Sequence, residues 1–221
     1  MKMSAFSGLV RKTGHCTTYT KPEEITAQRE VLMSNGHAIY RCEAMPEPKN
    51  ENQTFALLDV SKKQADKISL SYEEYESLED VDGFDLSDGV SSGELDTERD
   101  NIEITYKGNS YTALKCSDGE IIFYNPQYLA PLKEKIDSPY FKLVARVYQN
   151  GSKRFNYVLA KDGLSALAAI LPISILSEEF ITNLKNFTDT CESQCIIDSH
   201  RAEMCRMEKE SKKVTAANAE E

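Results

Sequence analysis

The sequence predicts an α+β protein: an antiparallel sheet with packed helices, followed by a C-terminal helix. Three observations predict it. From Asn101 onward, "IEITY", "SYTALKC" and "EIIFYN" are strand-like runs separated by the turn signals "KGN" and "SDG". A second series, "FKLVARVYQ", "RFNYVLA" and "LSALAAILPISIL", turns at "NGS" and "KDG" and reads as a three-strand meander. Beyond Pro172 the chain contains neither Gly nor Pro, and its apolar residues recur at helical spacing.

Taken in order, residues 1–20 show no clear period and read as a loose arm or an edge strand. "KPEEITAQREVLMSNG" places Pro22 in a first helical turn, Glu23 and Glu24 at the positive end of the dipole, and Asn35-Gly36 at the exit, which predicts a helix. "HAIYRCEAM" and "TFALLDV" read as strands flanking the polar loop "PEPKNENQ". In "KISLSYEEYESLEDV" the alternating Ile68 and Leu70 precede a capped turn at Ser71, with Tyr72, Tyr75 and Leu78 at helical spacing. "DGFDLSDGVSSGELDTERD" is rich in Asp, Ser and Gly and predicts an acidic linker or long mobile loop that buries little apolar area. After the strands from Asn101, Asn125 caps a helix with Pro126 at its first position. Tyr128, Leu129, Leu132 and Ile136 form its apolar face, and Pro131 interrupts it. Ser177 with Glu178 and Glu179 starts the last helix, which frays in "KESKKVTAANAEE". The expected divisions are an N-terminal α/β region 1–81, the acidic segment 82–100, the sheet-and-helix region 101–176 and the helical tail 177–221.

With 221 residues, 40% of them hydrophobic, the chain can build at least one genuine core. Its formal charge of -10 argues against the whole surface attracting nucleic acid, while leaving room for a local basic face. Six cysteines without dense spacing point to reduced thiols in a cytoplasm. No apolar run approaches the length of a membrane span, so no membrane association is expected.

The unit from Glu120 to Ile175, a strand, a helix and three strands, resembles the half-domain repeated around the sliding clamps of DNA replication. In bacterial β clamps the last half-domain has a strand ending in Phe-Asn, a helix of the form x-x-Tyr-Leu-x-x-x-Leu, two amphipathic strands, and a final strand ending in Met-Pro before an apolar residue. Here "FYNPQYLAPL" and "AAILPISI" stand at the corresponding places. The resemblance implies a clamp-like β-α-β-β-β half-domain whose terminal strand, with Ala169, Leu171, Pro172 and Ile173, helps form a pocket for partner peptides. It also implies a helix that faces DNA phosphates through Lys133 and Lys135 without reading bases. Three departures accompany it: the helical tail continues past the Leu-Pro segment, "YEEYESLED" is acidic, and 221 residues do not hold three clamp domains, so either a ring forms by homo-oligomerisation or the protein is a reduced relative.

Other constellations point elsewhere less strongly. Cys191, Cys195, His200 and Cys205 have nearly the order of a zinc knuckle. On a continuous helix, however, His200 faces away from the three cysteines, and buried helix-face thiols are the expectation. His15, Cys16 and His37 are candidates for a Cys-His nucleophile, but the sequence places no third partner and announces no oxyanion site, so surface or core histidines are the expectation. No Walker or dinucleotide pattern occurs, and the acidic run lacks an ordered calcium-loop register.

The expectation is therefore a non-enzymatic, cytoplasmic accessory factor of DNA replication or repair, without cofactor or metal. Its partners are replication or host DNA-processing proteins and, without sequence preference, duplex DNA. The reduced form suggests a phage or other mobile element as its source. The alternative is an acidic inhibitor that imitates DNA phosphates and blocks a host DNA-processing enzyme.

Overall fold

In a computed structural model of the chain, residues 1–21, 30–42, 45–174 and 193–204 are described, together with positions 182, 186, 190, 191 and 206. The N-terminal residues form a helix and a strand in place of the expected arm. In α1 (Met3–Thr13), Phe6, Leu9 and Val10 recur at helical spacing and are buried. Burying each such side chain stabilises by about 2 kcal/mol. Arg11 and Lys12 occupy the last turn, where the helix dipole favours cations. Gly14, at φ 70, ends the helix by donating its N–H to the Val10 carbonyl.

β1 (His15–Thr20), β2 (Val31–Ser34) and β3 (Ala38–Cys42) make an antiparallel meander. The helix expected over "KPEEITAQREVLMSNG" is thus a strand at its C-terminal end, and positions 22–29 lie outside the described residues. "TFALLDV", expected as a strand, is instead mostly α2 (Glu51–Leu57), started by Asn50, whose side chain accepts a hydrogen bond from the Gln53 N–H. A short α3 (Lys62–Ala65) leads to β4 (Ser69–Glu74). The turn expected at Ser71 does not form, because β4 runs parallel to β1 in unbroken register from His15↔Ser69 to Thr20↔Glu74. Pairing with a distant strand outweighs the local helical spacing of Tyr72 and Tyr75.

The later elements follow the expected order. β5 (Leu95–Tyr106), β6 (Asn109–Cys116) and β7 (Ile121–Tyr124) are antiparallel neighbours. Asn125 caps the next helix by accepting from the Gln127 N–H at 2.9 Å. Residues Pro126–Leu132 keep 3₁₀ geometry, since Pro131 has no N–H to donate, and only Lys133–Ile136 closes an α-turn, α4. Tyr128, Leu129 and Leu132 pack on the core as expected, whereas Ile136 is exposed. β8 (Phe141–Asn150), β9 (Lys153–Asp162) and β10 (Ser165–Ile170) form the second meander.

The ten strands form one mixed, mostly antiparallel sheet in the order β4-β1-β2-β3-β10-β9-β8-β5-β6-β7, so the fold is α+β. Two similar units meet at its centre: a helix followed by β1, β2 and β3, and a helix followed by β8, β9 and β10. They join through their last strands, antiparallel, with Ala169 opposite Ile39. This is the relation a two-fold axis through the β3–β10 seam would produce. The helices lie against each other, the Lys2 N–H donating to the Pro131 carbonyl at 2.7 Å.

Alternation along the strands separates two cores. Cys16, Met33, Tyr40, Val158 and Ala160 face the helices. Tyr19, Leu32, Ile39, Tyr157 and Leu159 face the other way. That second face is covered by residues 75–94, where Tyr75, Val81, Phe84 and Leu86 are buried. The segment 82–100 is therefore no spacer: its first half is pinned to the sheet, and from Leu95 it is strand β5.

Two side chains of the second meander hold that covering segment. Arg146 is 2% exposed and Lys161 fully buried. Arg146 reaches Glu94 at 2.7 Å and Asp85 at 3.0 Å, and donates to the Ser87 and Gly89 carbonyls. Lys161 reaches Glu94 at 2.9 Å. Arg41 ties Asp88 to Glu30 beside them. Burial pushes the carboxyl of Glu94 up, but hydrogen bonds from Lys161 and Arg146 and their two charges outweigh it, leaving it below its ordinary value. Asp85 is also lowered: burial again acts upward, and hydrogen bonds from Ser87 and Ser91 with the Arg146 charge prevail.

The chain divides into the unit Met1–Ile173, which holds all of this, and a second unit, Ser174–Glu221. In the second, residues 193–204 are helical, while the expected helix start at Ser177 lies outside the described residues. Cys191 and Cys195 are exposed, contrary to the expectation of buried thiols. Cys205 lies outside the described residues. No described helix is long and apolar enough to cross a membrane.

Candidate partner and nucleic-acid interfaces

A cavity of about 230 Å³ opens on the second face of the sheet. Its floor follows one cross-strand row. Ser71 of β4 lies opposite Thr17 of β1, Thr17 opposite Ser34 of β2, Ser34 opposite Ile39 of β3, and Ile39 opposite Ala169 of β10. The row is therefore hydroxylic at the β4 edge and apolar toward β10. Phe84, from the covering segment, and Tyr19 add aromatic wall, and Leu171 closes the β10 end. The hydroxyls bond along the row: Thr17 Oγ1 lies 2.8 Å from Ser71 Oγ and 2.9 Å from His15 Nε2. Burial, together with the nearby carboxylates of Glu73 and Asp82, pushes the Tyr19 phenol up, so it stays neutral.

Of the four residues expected in a peptide pocket, Ala169 and Leu171 line this cavity and Pro172 and Ile173 do not. The backbone explains the division. The Leu171 N–H donates to the His37 carbonyl at 2.9 Å and extends the β3 pairing by one step. Pro172 has no N–H, the ladder stops, and the Ile173 N–H donates instead to the Phe123 carbonyl of β7 at 2.8 Å.

The expected DNA-facing lysines lie on α4. Lys133 is exposed, while Lys135 is drawn to Asp162 at 3.6 Å. The helix side carries more positive charge than sequence reading anticipated, because α1 stands beside the 3₁₀ segment. Lys2, Arg11 and Lys12 are exposed there, and among the described residues Lys12 bonds the neutral amides of Asn109 and Gln127, at 2.9 and 2.8 Å. The only acid in residues 1–14 and 126–136 is Glu134. The missed signals were present: Phe6, Leu9 and Val10 at helical spacing, and Gly14 as a stop. The opposite bias marks the stretch from Glu73 to Glu103, with thirteen acids against Arg99.

The Cys-His candidate does not assemble. Cys16 is fully buried on the helix side and His15 lines the cavity on the other face, as neighbours on a strand must. Burial pushes the Cys16 thiol up to about 12, far from a thiolate at neutral pH. His37 stacks on Tyr128 at 5.7 Å. Among the described residues no group of three or more His, Cys, Asp or Glu side chains is placed to hold a metal ion. No protein-family model matches the chain, and no solved structure matches it significantly.

Proposed function

We propose that the protein is a non-enzymatic accessory factor of DNA replication or repair, similar to a sliding clamp, that holds a partner peptide and duplex DNA on opposite faces of its sheet. One observation carries the reading: two helix-plus-three-strand units joined at β3–β10, with both helices on one face and four cations, Arg11, Lys12, Lys133 and Lys135, on those helices, and Lys2 at the start of the first. Such a face attracts phosphates without reading bases, and its strength falls with salt. The cavity between Leu171 and Thr17 supports the second contact, since a few apolar anchors in a small pocket suffice to hold an extended segment. The protein acts by holding partners, not by making bonds.

Duplex DNA is expected to bind with a linear fall of log affinity against log salt. Arg11→Gln combined with Lys133→Gln reduces that slope by about 2, one unit per phosphate contact. Wild-type-like binding by the double variant would remove the DNA-facing role. Leu171→Asp, at a partly buried position beside the second core, weakens capture of clamp-binding peptides about thirtyfold by fluorescence anisotropy, with circular dichroism confirming that the variant is folded. If such peptides fail to bind the unaltered protein, the pocket has no such use.

The acidic stretch Glu73–Glu103 favours a second reading, a DNA mimic that occupies a basic host enzyme. Asp85, Asp88 and Glu94 are already engaged by Arg146, Arg41 and Lys161, which leaves fewer acids to imitate phosphates. Competition between this protein and DNA for a basic nuclease distinguishes the two readings.

A further inference from the structure

The apolar cavity does not end at Tyr19. A second and larger one, of about 610 Å³, continues from it, and the two share Tyr19, Glu73 and Asp82 in their walls. The second is lined by Glu73, Glu74, Glu76, Asp80 and Asp82, with the β8–β9 turn at Gln149–Gly151 opposite. Among the described residues no cation forms a salt bridge with any of these five. Among the described residues the Asp80 carboxylate accepts the Gly83 N–H alone, at 2.9 Å. The carboxylates are dispersed along the wall, with no three placed to close on one metal ion. Lys21 shows how a cation sits here: its Nζ lies 5.5 Å from the centre of the Tyr75 ring.

We propose that the groove takes one occupant, a peptide segment with an apolar anchor for the cavity at Leu171 and a flank of Lys or Arg residues for the acidic cavity beside it. The inference rests on the peptide-holding reading above and adds the chemistry of the peptide. The apolar end accepts the anchor by burial against Ile39, Phe84 and Leu171. Long cationic side chains then reach separate carboxylates while their stems cover Tyr19 and Tyr75. Opposite charge across a rim raises the association rate and excludes acidic competitors more than it adds buried contact.

The test uses fluorescent peptides with one apolar anchor and three flanks, of Lys and Arg, of Ser, or of Asp and Glu, titrated against the full chain. The basic peptide is expected to bind about tenfold more tightly than the Ser peptide at low salt, with the difference shrinking as salt rises. Glu74→Gln with Glu76→Gln, both lining the acidic cavity and neither lining the apolar one, should erase most of the difference while leaving the Ser peptide unchanged. Equal binding of all three peptides, each lost in Leu171→Asp, would overturn the charge preference and leave the pocket standing. Failure of all three to bind would overturn both.

Discussion

Glu94→Gln is expected to destabilise the fold by about 3 to 5 kcal/mol, the cost of leaving buried charge without its partner. Glu94 lies between Arg146 and Lys161, which are 2% and 0% exposed, and its own side chain is 4% exposed. Glutamine keeps the shape but removes the charge, so Arg146 is left with Asp85 and Lys161 is left with no carboxylate among the described residues. Urea unfolding reads the loss directly. The pH dependence gives a second readout. Because Glu94 and Asp85 titrate below their ordinary values of 4.5 and 3.8 in the folded chain, the unfolded chain binds more protons under mild acid. Their stabilisation is complete well above pH 4.5 and is lost as pH falls through the lowered values. The gap between wild type and Glu94→Gln should therefore close toward acid. A variant with the wild-type midpoint at neutral pH would show that the charges do not hold the segment.

Phe84→Ala should cost a further large amount, about 3 to 5 kcal/mol for a buried aromatic truncated to a methyl group. Its ring meets Tyr148 at 4.7 Å and Tyr157 at 5.1 Å, so it anchors the segment 75–94 to the sheet by packing, as Glu94 does by charge. The two substitutions act on one latch, and their combined effect should be smaller than their sum. Since Phe84 also lines the cavity, the variant should lose peptide binding along with stability. A surface-like change below about 0.5 kcal/mol would mean that Phe84 carries little of the second core.

Much of the second half of the molecule was legible because its signals are local. Asn125-Pro126 starts a helix, "NGS" and "KDG" close hairpins, and β-rich runs such as "FKLVARVYQ" mark strands; each acts within a few residues. The same kind of reading failed where a partner far along the chain decided the outcome. Ser69–Glu74 is a strand because β1 lies beside it. Ala169 and Leu171 were placed at a pocket, but Thr17, Tyr19 and Phe84, which complete it, come from segments that nothing local connects to β10.

By itself the sequence determined an α+β architecture, the meander order after Phe141, the capped helix after Asn125, and the overall acidity. Only the tertiary structure decided that the acidic segment is a cover and not a linker, that α1 and α4 bring their cations to the same side of the sheet, and that the cavity lies where it does. The reason is that turns and caps depend on neighbours in the chain. An Asp or Glu written in a Gly- and Ser-rich stretch reads as solvated until the buried cation it serves, here Arg146 or Lys161, is brought to it across more than fifty residues of chain.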